Sequence, residues 1–152
     1  MPVCKPGDLV RLLSPGARLI GLDFGTKTIG VAISDAALRV AAPVTTIRRR
    51  KFSSDADELI KIAESRGVGG FVIGLPLNMD GTEGPRCQST RDLTEELLKR
   101  HDLPTIFQDE RMSSQAVERA MIGEADLSRK KRGEAIDAAA AAYILQSALD
   151  AL

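Results

Sequence analysis

Apolar residues fall in short runs separated by glycine- and proline-containing breaks. Leu19-Ile20-Gly21-Leu22 ends at Asp23-Phe24-Gly25, and Ile29-Gly30-Val31-Ala32-Ile33-Ser34 follows after Thr26-Lys27-Thr28. Runs this short, bounded by glycine, predict two buried strands joined by a tight turn. Val, Thr and Ile recur between 39 and 47 after the link Asp35-Ala36-Ala37, so a third strand completes an antiparallel meander. Ser53 and Ser54 are candidate N-caps of a helix whose apolar side is Leu59, Ile60, Ile62 and Ala63 and which Gly67 ends. Phe71-Val72-Ile73 predicts a fourth strand, the breaker-rich stretch 74–84 a loop, and Pro85 the opening of a helix through Leu93, Leu97 and Leu98. Thr105-Ile106-Phe107-Gln108 predicts the last strand, running into Asp109-Glu110-Arg111, and Ser113 or Ser114 caps a further helix towards Ile122. The last element is an alanine-rich helix starting at Gly133 or Glu134.

These elements predict one α/β domain over 17–152, a five-stranded mixed sheet flanked by helices. A loose extension over 1–16 precedes it. The length of 152 residues suffices for one core without staples. Cys4 and Cys87 are far apart and form no metal-ligand spacing, which suits free thiols and a cytoplasmic location better than a disulfide scaffold, and the sequence shows no zinc-site pattern. The N-terminal stretch lacks the long apolar run of a signal peptide or membrane span.

Acidic residues stand where elements end. Asp23 closes the first strand, where a buried carboxylate needs a proton, a donor or a cation; capping its own turn is the alternative. Asp109 and Glu110 follow the last strand. Asp137 shares a helical face with Ala141, Ile144 and Ala148 and so points inward, in what the pattern makes the helix's first turn, where the helix dipole offers a plain structural role. Carboxyl ends of parallel strands gather at one sheet edge. Oxygen ligands gathered there suit Mg²⁺ or Mn²⁺, and two such ions bridged by carboxylates form a clamp for phosphodiester hydrolysis.

Four motifs then carry a resemblance. Asp23-Phe24-Gly25 with Gly30, Gly74-Leu75-Pro76-Leu77-Asn78-Met79-Asp80-Gly81, Asp109-Glu110-Arg111, and Asp137 on its alanine-rich helix resemble, in order and over most of the chain, the YqgF family. That resemblance implies a ribonuclease-H-like fold. It also implies a hydrolase, a Mg²⁺- or Mn²⁺-dependent endonuclease of phosphodiester bonds, that takes part in rRNA processing and ribosome biogenesis by maturing the 5′ end of precursor 16S ribosomal RNA. Its alternatives are a Holliday junction resolvase acting on four-way DNA junctions and a non-catalytic RNA-binding assembly factor. Carried over, Asp23, Asp109, Glu110 and Asp137 become catalytic residues, with Asp23, Glu110 and Asp137 as metal ligands. Adjacent strand residues point to opposite faces, so Asp109 and Glu110 serve one site together only if the strand has ended; Glu110 has the longer reach. No acid stands at Gly74-Leu75-Pro76, where the wider superfamily often has one. Asp80 and Glu83 lie further on, more in keeping with turn residues.

Lysine plus arginine equals aspartate plus glutamate at 21 each, so only local clusters speak for a polyanionic partner. Arg129, Lys130, Lys131 and Arg132 precede Asp137 and are read as nucleic-acid contacts; Arg48, Arg49, Arg50 and Lys51 are equally open to contact or solvation. Lys27 and Thr28 in the turn after Asp23, and Arg111 beside the acids, complete the expected nucleic-acid-binding set. Tyr143 is read as core. Without heptads or a spare apolar helix, a monomer or weak dimer is expected, with structured nucleic acid, ribosomal particles and no membrane as partners.

Overall fold

The structure, a computed structural model, describes residues 3–110 and 129–152, with side chains described for 3–110 and 137–152. Along the chain run α1 (Pro6–Leu12), β1 (Arg18–Phe24), β2 (Thr28–Ser34), β3 (Ala41–Arg48), α2 (Phe52–Ser65), β4 (Val68–Leu75), α3 (Pro85–Arg100), β5 (Thr105–Asp109) and α4 (Arg129–Asp150). The helix expected between Ser113 and Ile122 lies outside the described residues. Sheet order is β3-β2-β1-β4-β5, with β1–β2 and β2–β3 antiparallel and β1–β4 and β4–β5 parallel. This is the expected meander extended by two parallel strands.

Both sheet faces are covered, which is why β1 reads as a nearly continuous apolar run. Ile20, Leu22, Ile29, Phe71 and Ile73 pack with Leu59 of α2 and Leu97 of α3 on one face. Leu19, Ala32, Val72 and Ile106 pack with Ala141, Ile144 and Leu145 of α4 on the other. Because side chains alternate along a strand, Asp23 falls with Leu19 and Gly21 on the α4 face. The parallel neighbours bring the C-terminal ends of β1, β4 and β5 to one edge, with Leu22 beside Ile73 and Leu75 beside Asp109.

Four expectations are corrected. The stretch before β1 is docked: Leu9 of α1 is fully buried in the α4-side core, and Cys4 N–H donates to Thr105 O at 2.8 Å. The short run around Leu9 makes a helix because the sheet offers it an apolar seat. α2 starts at Phe52, and neither Ser53 nor Ser54 caps it; buried Asp55 accepts the Arg50 N–H at 3.2 and 3.3 Å. α4 starts at Arg129, since a run of good helix formers carries the helix across Gly133. Tyr143 is 48% exposed on the outer side of α4, where the alanine stripe leaves the core no need of it. Among the described residues no helix is long and apolar enough to cross a membrane.

Candidate active site

Three glycines on three adjacent strands let α4 lie against the sheet. A Cβ on Gly21 would stand 2.8 Å from Leu145 Cβ and 3.0 Å from the Ala141 carbonyl oxygen, and one on Gly30 would run into the Asp137 carbonyl oxygen. One on Gly74 would stand 2.7 Å from Glu110 Oε2 and from Ile144 Cδ1. At Gly21 and Gly30, where the helix backbone itself is met, only glycine permits this approach; at Gly74 the atoms met are side-chain ends. Gly30 is the ladder partner of Asp23, so the contact that seats α4 also brings Asp137 beside the end of β1.

Thr28 Oγ1 donates to Asp137 Oδ2 at 2.6 Å, which fixes the helix-borne carboxylate against the first residue of β2. Asp137 is the ninth residue of α4, in its third turn. The expected first-turn placement is thus corrected, and the helix dipole, felt within the first turn, has no part in its setting. β5 ends at Asp109, after which the chain turns: Glu110 N–H donates to Leu75 O at 3.2 Å, and the Glu110 side chain folds back over Gly74 to hydrogen-bond Asp23. Asp109 stays exposed. Of the four acids singled out in sequence, the fold brings Asp23, Glu110 and Asp137 together and leaves Asp109 facing outward.

One proton serves the Asp23–Glu110 pair. Burial above all, then the charge of Asp23 and the hydrogen bond to it, pushes Glu110 up to about 9, so Glu110 is the protonated partner and donates to Asp23. Burial likewise raises Asp23, with the Asp137 charge adding to the shift while the Glu110 hydrogen bond and Arg86 oppose it. Arg86 was not legible as a site residue: Pro85-Arg86 reads only as a helix opening. Its proximity arises because the first turn of α3 is tied to the exit of β4, where Cys87 Sγ donates to Pro76 O at 3.3 Å.

The fold gives other expected residues structural tasks. Asp80 accepts Thr82 N–H at 3.0 Å and Thr82 Oγ1 at 2.6 Å. Glu83 pairs with Arg91 at 2.8 and 2.9 Å, and the Arg91 guanidinium lies 4.8 Å from the Phe107 ring centre. Lys27 is exposed in the β1–β2 turn, whereas the Thr28 hydroxyl is committed to Asp137. Residues 129–132 form the first turn of α4, about 8–12 Å along the axis from Asp137. Arg111 lies outside the described residues.

Residues 17–151 match the family model RuvX, described as Holliday junction resolvase. The chain belongs to this family. Relatives from Rhodospirillum rubrum (53% identical, covering 100% of this chain and 94% of theirs) and Caulobacter vibrioides (52%, 100% and 98%) are named as candidate pre-16S rRNA nucleases. Among solved structures, Thermus thermophilus RuvC in complex with Holliday junction substrate superimposes with a TM-score of 0.53 at 12% identity, covering 89% of this chain and 94% of that one. The fowlpox virus resolvase with its junction DNA gives 0.53 at 10% identity, covering 88% and 97%. This RuvX chain is therefore a nuclease of ribonuclease-H-like fold, as the YqgF resemblance implied.

The shared proton has a measurable consequence. Between the ordinary glutamate value of 4.5 and about 9, the folded RuvX chain keeps a proton that the unfolded chain has released, so this pair lowers stability as pH rises through that window. A Gln at 110 retains a donor for Asp23 without the ionisable proton. Metal-free Glu110→Gln is expected to melt with the parent near pH 4 and several degrees above it near pH 8, about 2–4 °C for each kcal/mol. Calorimetric melting across pH measures this; parallel curves for the two proteins contradict it.

Proposed function

We propose that this RuvX chain cleaves precursor ribosomal RNA endonucleolytically at the 5′ end of 16S RNA, in the cytoplasm, through residues 17–152. Support for the RNA substrate comes from the names of full-length relatives at about half identity. Support for the site comes from one observation: Asp23, Glu110 and Asp137 converge from two strand ends and a helix although their charges oppose one another. Among the described residues no three ligating groups already surround a common point, because Asp23 and Glu110 face each other and Asp137 faces Thr28. The donor set nevertheless fits a hard divalent ion, Mg²⁺ or Mn²⁺, being oxygen throughout, with a proton where two carboxylates otherwise need positive charge.

Asp23, Glu110 and Asp137 would hold the ion. When bound it supplies Lewis-acid stabilisation of the phosphodiester's developing charge. Thr28 holds Asp137 in place, Gly74 leaves room for Glu110, and Arg86 offsets negative charge at the acids and on an arriving phosphate. Residues 129–132, with Lys27 and Arg111, are the proposed contacts to the nucleic-acid backbone.

The family description and the RuvC-like fold favour a second reading, resolution of four-way DNA junctions. Paired cuts on symmetry-related strands require two sites about a twofold axis, hence a dimer. One cut in RNA requires one site, and we assign a monomer or weak dimer. Light scattering over a concentration series, with cleavage of labelled precursor RNA and of a junction in Mg²⁺, Mn²⁺ or chelator, separates the two. RNA cut by a monomer supports the first reading; a tight dimer nicking junctions symmetrically and sparing RNA establishes the second.

A further inference from the structure

The fold gives residues 48–51 a position that their sequence does not reveal. β3 ends beside the turn that follows Asp23. Arg48 is the ladder partner of Thr28, and paired residues of an antiparallel ladder share a face. Arg48 therefore stands on the α4 side of the sheet, next to the hydroxyl that holds Asp137. Arg49 is spent on bracing the turn: its N–H donates to Lys27 O at 2.9 Å and its Nη1 to Gly25 O at 2.8 Å. The Arg50 N–H is fixed by buried Asp55 at 3.2 and 3.3 Å.

Arg48, Arg50 and Lys51 are exposed, as is Lys27 on the braced turn. Among the described residues none of these four cations forms an ion pair, whereas Arg11, Arg91, Lys99 and Arg100 all do. Like charges held on a fixed backbone repel one another, and a polyanion relieves that repulsion while releasing its own counterions. The site at the turn's other side acts on a phosphodiester, which decides what polyanion comes within reach.

We infer that Arg48, Arg50, Lys51 and Lys27, braced by Arg49, form a rim that grips the sugar–phosphate backbone of the RNA strand as it enters the acid edge past the β1–β2 turn. The identity of the polyanion rests on the nuclease reading above. The contact is sequence-independent, made to phosphates and not to bases.

The test uses Asp23→Asn protein, so that no cleavage intervenes, and a fluorescently labelled RNA hairpin with a single-stranded 5′ extension, titrated over a series of KCl concentrations. Adding R48Q/R50Q/K51Q is expected to lower the slope of log K against log salt by about 2 units and to weaken binding at low salt by about tenfold or more. K61Q/R66Q removes two exposed cations where α2 ends near the start of β1, at the opposite end of the sheet, and is expected to change neither. Should the triple variant melt below its parent, R48Q and K51Q singly are each expected to lower the slope by about 0.7–0.9. Unchanged slope and affinity in the rim variants, with the parent binding normally, overturn the rim alone. A parent that does not bind the RNA at all overturns the RNA reading and the rim with it.

Discussion

Replacing Asp23 by Asn is expected to leave a folded protein that no longer cleaves. The side chain sits next to the end of the central strand, opposite Gly30 and hydrogen-bonded to Glu110, so the isosteric amide keeps the shape and packing of the site. What it removes is the charge that both an ion and the Glu110 proton require. Loss of an outer partner of a metal ligand reduces activity by about 10–100-fold; loss of the ligand itself is expected to exceed the upper figure. Asp137→Asn is expected to behave in the same way, since Thr28 Oγ1 can still donate to the amide oxygen. Steady-state cleavage by nuclease-free preparations, with melting curves alongside, measures both; full activity in either variant removes the carboxylate edge from the mechanism.

Gly30→Ala is expected to damage the same site without touching an acid. The added methyl would meet the Asp137 carbonyl oxygen, part of the α4 backbone, which has no flexible end to give way. Either β2 or α4 must move, and overpacking of this kind costs about 1–3 kcal/mol. Asp137 moves with its helix, and a displacement near 1 Å at a reacting centre reduces rate by about 100-fold. Both a lower melting temperature and a fall in kcat are therefore expected from one methyl group. Gly7→Ala in α1, where an added Cβ meets nothing within 4 Å, serves as the control that leaves kcat unchanged and does not lower the melting temperature. If Gly30→Ala keeps parent activity and stability, close seating of α4 is not what positions Asp137.

How far the sequence disclosed this arrangement depends on whether a residue's setting is local. Asp23 was legible because a strand and its turn are written in consecutive residues. The inward face of α4 was legible from helical spacing: Ala141, Ile144 and Ala148 are all buried. The start of α4 was not, because Gly133 resembles a boundary while the helix formers before it extend the helix to Arg129. The choice between Asp109 and Glu110 depended on where β5 stops, which ladder bonding to β4 decides. Arg86 was not legible as a site residue, and the cluster at Arg48 was legible as charge but not as a neighbour of the acids, for the same reason: only tertiary packing brings the first turn of α3 and the end of β3 to the acid edge. Leu9 falls in a stretch that reads as a loose extension, because five apolar-rich residues are too few to predict a docked helix without the sheet that receives them.

In the proposed site, Asp23 and Glu110 share a proton at the position a divalent ion would take. Calorimetric titration of Mn²⁺ into the metal-free protein, repeated near pH 7.5 in buffers of different ionisation enthalpy, counts protons released on binding. Because Glu110 titrates at about 9 in the absence of metal, binding below that pH must expel its proton. This exchange of proton for ion is expected to release about one proton per ion bound, to be absent in Glu110→Gln, and to be lost with binding itself in Asp23→Asn. Mn²⁺ bound by the parent without proton release, or bound as well by Asp23→Asn, would contradict it.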